Sequence, residues 1–207
     1  ILGCAELLLD AEGEREDEKE IQVIAAQARR AGDIVKQLLA FSRRDTGENW
    51  ETVSIEDVVQ EVKELVAPSL RVAGVSLQVS LQNELLQGKL NRVQIQQILV
   101  NLVTNATQAI LENRISDGLI RITVRRVSDT LEIAVADNGL GLLPGVEGQI
   151  FDPFFTTKEK GRGTGLGLSI ALEIAHAHEG DLACHSRPGQ GCTFTLTLPV
   201  FESDTEE

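Results

Sequence analysis

Two kinds of hydrophobic periodicity divide this chain. Apolar residues recur at Ile21, Ile24, Ala28, Ala31, Val35 and Leu38, in steps of three and four that trace one seam of an α-helix. Ile34, Leu39 and Phe41 widen that seam beyond what a two-stranded coil buries. Ile1 to Leu9 reads as the end of a preceding helix, and Asp10 to Glu20 as a charged connection. The pattern predicts a helical hairpin over residues 1–45. A single thin hairpin cannot bury so wide a stripe, so a dimeric four-helix bundle is the expected setting.

Residues 46–50 read as a linker, and beyond them the pattern turns mixed. Thr52 to Ile55 is a short strand. Glu56 to Leu70 is a helix, expected to be interrupted near Pro68. Val75 to Leu81 alternates as a strand. Asn91-x-x-Gln94 has the arrangement of a capping box and opens a helix running to Leu111. Ile120 to Val127 and Leu131 to Ala136 are strands joined at Ser128-Asp-Thr130. Leu166 to His178 is helical. Asp181 to Ser186 and Cys192 to Leu198 are strands around the turn at Pro188-Gly-Gln-Gly191. Residues 51–200 are therefore an α/β domain, and residues 201–207 an acidic tail.

The chain has 207 residues, room for one domain and a smaller appendage. Aromatic residues make up 3%, so aliphatic side chains must fill the core. A net charge of −13 opposes binding to nucleic acid or to an anionic membrane. No stretch is long enough for a transmembrane helix and no signal-peptide pattern opens the chain. The first residue is Ile1 and no Met occurs, so a fragment of a longer protein is expected. Cys4, Cys184 and Cys192 lack metal-ligand spacing and read as reduced thiols of a cytoplasmic protein. A hairpin could bring Cys184 and Cys192 opposite each other, but a structural disulfide is not expected.

The chemistry lies in four blocks. The helix from Val93 to Leu111 carries no charged residue, and one face is a stripe of amides: Gln97, Asn101, Asn105 and Gln108. A solvated face would carry Lys and Glu, whereas neutral oxygen donors suit Mg²⁺, which keeps most of its ligands as water and phosphate. Asp137 ends a strand before Asn-Gly139-Leu-Gly141. Its carboxylate can accept from an exocyclic amine such as that of adenine. A plain turn would use the same residues. Gly161-Arg-Gly163-Thr-Gly165-Leu-Gly167-Leu168 opens a helix and offers N–H groups and a positive dipole end to phosphate. It matches neither the P-loop nor the dinucleotide fingerprint. Thr157, Lys158 and Arg162 lie on a glycine-rich segment, residues 156–165, that reads as a lid. Lys158 and Arg162 could bring charge to the phosphates or be ordinary surface cations.

Asn101 with Asn105, Asp137-x-Gly-x-Gly141, Phe151-Asp-Pro-Phe-Phe-Thr-Thr-Lys158 and Gly163-Thr-Gly-Leu-Gly-Leu168 resemble, in this order, the N, G1, F and G2 boxes of sensor histidine kinases. Gly189-Gln-Gly-Cys-Thr-Phe194 is similar to the family's last glycine motif. Ile1 to Leu9 and Leu38 to Arg43 resemble the ends of its dimerisation helices. The resemblance implies a Bergerat-type α/β sandwich, a mixed sheet with helices on one face, holding ATP and Mg²⁺. It implies that Asn105 coordinates the metal, Asn101 supports the phosphates and Asp137 reads adenine. Gly139, Gly141, Thr157, Lys158, Arg162, Gly163, Thr164, Gly165, Leu166, Gly167 and Leu168 would complete the nucleotide site, with Asn101, Asn105 and Lys158 serving catalysis. Phe154 and Phe155 would pack the lid. The implied partners are a second copy through the hairpin, a response-regulator receiver domain and an upstream sensor domain.

Two departures matter. Many members have a lysine three residues after the second asparagine; here it is Gln108, and Lys158 is the expected substitute. The phospho-accepting histidine is expected before Ile1. His178-Glu179 imitates an acceptor followed by an acid, but at a helix end before Gly180 it more simply complements the helix C-terminus. ATPases of the gyrase, Hsp90 and MutL type carry a water-activating glutamate four residues before the metal-binding asparagine. Here that position is Asn101, which cannot act as a general base. Kinase chemistry is therefore expected over hydrolysis, the other reading being a nucleotide-binding dimerisation module that transfers nothing.

Overall fold

The computed structural model describes residues 21–25, 28, 32, 50–82, 87–158 and 163–199. The chain divides into two units, Ile1–Arg44 and Asp45–Glu207. In the first, residues 21–25 are helical, and Val23 and Ile24 are exposed. The remainder of the expected hairpin, most of the linker and the acidic tail lie outside the described residues.

The second unit runs β1 (Glu51–Ser54), α1 (Ile55–Ala73), β2 (Ser76–Leu81), β3 (Gln87–Leu90), α2 (Arg92–Glu112), β4 (Leu119–Val127), β5 (Thr130–Asp137), α3 (Gly167–Ala177), β6 (Asp181–Ser186) and β7 (Cys192–Pro199). Its main sheet has the order β2-β4-β5-β7-β6. The β2–β4 pair is parallel and the others antiparallel. The central strands alternate in burial. Ile120, Ile122 and Val124 of β4, Leu131, Ile133 and Val135 of β5, and Phe194, Leu196 and Leu198 of β7 face inward. Register aligns Ile122 with Val135 and Val135 with Phe194, so these side chains form one apolar surface. All three helices pack on the sheet. Ile95, Ile98, Leu99 and Leu102 of α2 are fully buried, and losing any one side chain to Ala would cost about 2–5 kcal/mol. This is the mixed-sheet, one-sided α/β sandwich that the motifs implied.

Three local features depart from the sequence reading. First, α1 runs unbroken through Pro68 to Ala73. Pro68 is on the exposed side, where the carbonyl it deprives of an N–H partner can turn to water. The helix instead ends at Gly74, whose φ of 67° supplies the left-handed cap. Second, β3 is a strand that the periodicity does not predict. Gln87-Gly-Lys-Leu90 has little strand signal of its own, and it forms by pairing antiparallel with β1. Third, the capping box is only half made. The Asn91 side chain accepts from the Gln94 N–H at 3.3 Å. The Asn91 N–H, however, donates to His178 Nε2 at 3.1 Å rather than to Gln94.

Candidate nucleotide-binding site

Helix α2 forms the floor of the site, and three loops meet it in sequence. Gly167, at the start of α3, lies against Asn101: a Cβ there would fall 2.4 Å from Asn101 Oδ1. Asn101 is half-buried, and its Nδ2 is fully covered with no hydrogen-bond partner. One turn on, the Lys158 ammonium donates to Asn105 Oδ1 at 3.4 Å and to Gln108 Oε1. Beyond these, Gly139 approaches Ala109, to which a Cβ would stand at 3.6 Å. From Asn101 to Ala109 the helix rises about 12 Å, so the contacts form a row along the helix rather than a point.

The end near Asn101 is suited to anions. Leu166 caps α3 without any side-chain hydrogen bond to the first turn, so the first N–H groups and the positive dipole end are available. Thr164 Oγ1 instead accepts from the Leu166 N–H at 3.3 Å, bracing the turn before the helix. Gly165 has φ of 67°, and its carbonyl accepts from the Phe154 N–H at 2.8 Å. A Cβ on Gly165 would lie 2.3 Å from the Phe154 carbonyl carbon, so only glycine permits this crossing. Gly163 meets Thr156 in the same way, and Thr156 Oγ1 accepts from the Lys158 N–H at 3.2 Å. The phenylalanine block and the glycine block thus hold each other. Burial lowers the Lys158 ammonium from its ordinary value of 10.5, partly offset by Glu112. Thr157 is exposed. Arg162 and Gly161 lie outside the described residues.

The far end centres on Asp137, the last residue of β5. Its Oδ1 accepts from the Gly139 N–H at 2.8 Å and the Cys192 N–H at 3.4 Å. Burial nevertheless raises its carboxyl above the ordinary 3.8, the two N–H donors opposing. Gly141, at φ of 75°, passes so close to Ser186 Oγ and the carbonyls of Arg187 and Gly191 that a Cβ would stand within 2.9 Å of each. Ser186 Oγ accepts from the Leu142 N–H at 2.8 Å and donates to the Gly191 carbonyl at 3.1 Å. Asn138 ties the loop to β4, accepting from the Leu119 N–H at 2.8 Å.

Asn101, Asn105, Asp137, Gly139, Lys158 and Gly167 are therefore gathered along α2, and Gly163 and Gly165 brace the crossing from outside. Phe154 and Phe155 part company: Phe155 packs on the core, while Phe154 is 68% exposed with φ of 68°. His178 is buried, with Nδ1 donating to the Ile174 carbonyl at 2.8 Å and Nε2 accepting from Asn91. Both ring nitrogens are engaged, and Trp50 stacks on the ring at 4.5 Å, which leaves no lone pair for phosphate. The bracing by Ser186 and Gly191 escaped sequence reading. An isolated Ser gives no signal, whereas the Gly189–Gly191 turn could have suggested a close approach. Among the described residues no cluster of His, Cys, Asp or Glu has the makings of a metal site, so any metal here would rely on amide oxygens.

A mixed sheet covered on one side by helices, with amides and close-approach glycines gathered along one of them, fits a nucleotide-binding domain. Residues 90–202 match the family described as "Histidine kinase-, DNA gyrase B-, and HSP90-like ATPase". The signal transduction histidine-protein kinase AtoS of Escherichia coli (strain K12) is 36% identical over 201 residues, 97% of this chain and 32% of AtoS. The catalytic domain of histidine kinase ThkA superposes with a TM-score of 0.64 at 30% identity, covering 73% of this chain and 95% of that one. ThkA in complex with response regulator protein TrrA gives a TM-score of 0.73 at 25% identity, covering 97% of this chain and 57% of that one. The chain belongs to the histidine kinase-, DNA gyrase B- and HSP90-like ATPase family, and within it to the sensor histidine kinases. It spans about a third of the length of the curated relatives AtoS and KinB that it matches.

Proposed function

We propose that this domain holds ATP for transfer of its γ-phosphate to a histidine on a helical bundle, from which an aspartate of a response regulator receives it. The observation that carries this reading is Asn101. It faces the open N-terminus of α3, one turn before Asn105, where a water-splitting relative would need a carboxylate. An amide can hold and orient phosphate but cannot take a proton from water. Catalysis then rests on positioning and charge neutralisation, as phosphoryl transfer allows.

Asp137 accepts from the exocyclic amine of adenine, and Gly139 and Gly141 keep the backbone close to the ring. The α3 N-terminus, Thr164 and the glycines from Gly163 to Gly167, with Leu166 and Leu168, receive the phosphates. Lys158 supplies the charge that Gln108 lacks, and Thr157 and Arg162 complete the lid. Asn105 fits Mg²⁺: its oxygen already attracts a cation, the Lys158 ammonium, and the neighbouring donors are neutral. When bound, the metal would neutralise phosphate charge. Dimerisation through residues 1–45, a cytoplasmic setting and an upstream sensor domain accord with this reading. So does the ThkA–TrrA complex, in which that kinase is held by a response regulator.

The test is to incubate the chain with radiolabelled ATP, Mg²⁺ and a separate bundle helix bearing a histidine followed by an acid. Labelled helix with slow phosphate release is the expected result. Rapid steady-state phosphate release would overturn the role of Asn101. Tight ATP binding without labelling would favour a non-catalytic nucleotide-binding module.

A further inference from the structure

We propose that Cys184 and Cys192 form a redox modification site, in which a peroxide oxidises the pair reversibly to a disulfide that loosens the Asp137 end of the nucleotide site.

The geometry places two thiols where neither sequence spacing nor the ATP site requires them. Cys184 lies on β6 and Cys192 on β7, with their sulfurs 3.4 Å apart. Register puts Cys184 opposite Phe194 and Cys192 opposite Ser186. The cysteines are therefore diagonal neighbours on one face of the hairpin. Forming the bond requires the sulfurs to close by about 1.3 Å, to the usual length near 2.0 Å. Cys184 is half-buried and Cys192 7% exposed, which leaves a way in for an oxidant little larger than water.

The two thiols are not equivalent. The hydrogen bond between them lowers the Cys192 thiol and, with burial, raises that of Cys184. The steps run with Cys192 attacking and Cys184 resolving, and they balance identically with the two roles exchanged. The Cys192 thiolate attacks one oxygen of hydrogen peroxide, giving a sulfenic acid and hydroxide. Cys184 then attacks the sulfenic sulfur, the S–S bond forms, and the second oxygen leaves as water. Two thiols and one peroxide become one disulfide and two waters, the two electrons passing from sulfur to oxygen.

The pair is joined to the nucleotide site through backbone. The Cys192 N–H donates to Asp137 Oδ1. Gly191, the preceding residue, lies directly on the Asp137 carbonyl. Ser186, opposite Cys192, holds both Leu142 and Gly191. Drawing Cys192 diagonally toward Cys184 moves its N–H away from Asp137 and disturbs the Gly139–Gly141 loop. This consequence for ATP, though not the oxidation itself, rests on the function proposed above.

The experiment treats the 207-residue chain with hydrogen peroxide, maps disulfides by mass spectrometry and measures ATP affinity before and after dithiothreitol. The expected product is two hydrogens lighter, linked between Cys184 and Cys192, and restored by reductant. Affinity should fall about fivefold or more, the low end of coupling between linked sites. The Cys184→Ser chain should stop at a Cys192 sulfenic acid trapped by a 1,3-dione. It should also keep reduced-state affinity in peroxide. Thiols that stay alkylatable, pairing with Cys4 instead, or over-oxidation without a disulfide would each overturn the site. A disulfide that leaves affinity unchanged would overturn its coupling to the nucleotide site. A reduced chain that binds no ATP would count against the proposed function while leaving the disulfide map to judge the site.

Discussion

The Lys158 ammonium donates to Gln108 Oε1 while also reaching Asn105 Oδ1. A cation from the segment that precedes α3 therefore sits on the amide stripe of α2, beside a position that carries no charge of its own. Replacing Lys158 by Ala should weaken ATP binding by about tenfold, the loss of one hydrogen bond to a charged group. Titration calorimetry checks this, and an unchanged Kd would remove Lys158 from the site.

The same lysine sets a pH dependence. Its depressed pKa means that the nucleotide-free fold is relatively favoured at high pH. That contribution is lost as pH falls through the lowered value. ATP, by contrast, favours the charged ammonium. Affinity should then decline with rising pH, beginning below 10.5, and Lys158→Ala should flatten the curve. A wild-type curve that stays flat up to that pH would contradict the contact.

Gly167→Ala separates binding from folding. The new methyl would stand 2.4 Å from Asn101 Oδ1 and 2.9 Å from its Nδ2, so Asn101 must turn away. Gly167 has no positive φ to protect, and alanine restricts the unfolded chain, which favours the fold by about 0.5 kcal/mol. Nucleotide affinity should drop sharply while the nucleotide-free Tm holds or rises. A falling Tm with intact affinity would place the strain elsewhere.

Asp137→Asn should trade binding for stability. The raised carboxyl pKa favours the neutral form in the folded chain. Its stabilising contribution is complete below the unfolded value of 3.8 and is lost as pH rises through the folded one. Asparagine stays neutral, so the variant should be more stable than wild type at pH ~7 and converge with it near pH ~4. Its ATP affinity should fall by about fivefold, the difference between charged and neutral acceptors. Thermal melts across this pH range, with a Kd at neutrality, test both halves.

His178→Ala would leave the Asn91 N–H unpaired inside and remove the ring against Trp50, while the Ile174 carbonyl keeps its bond from the backbone N–H of residue 178. The fold should lose about 3 kcal/mol, from a cavity and an unsatisfied polar group. Urea titration followed by Trp50, the only tryptophan in the chain, reads this directly.

These outcomes separate two sources of information. Local chemistry was legible in the chain itself. The uncharged amide stripe, the Asp-x-Gly-x-Gly turn and the glycine-rich helix start each require particular residue types at fixed spacing, because backbone approach and helical phase are short-range properties. Strand alternation in β4, β5 and β7 likewise follows from one buried face. What only the tertiary structure decided are the contacts between distant segments. Lys158 settles on Gln108, His178 takes over the unfinished half of the Asn91 cap, β3 exists only because β1 is beside it, and the two cysteines meet diagonally across a hairpin. Each depends on how separate elements are held in register by the shared core, and no periodicity along a single segment encodes that distance.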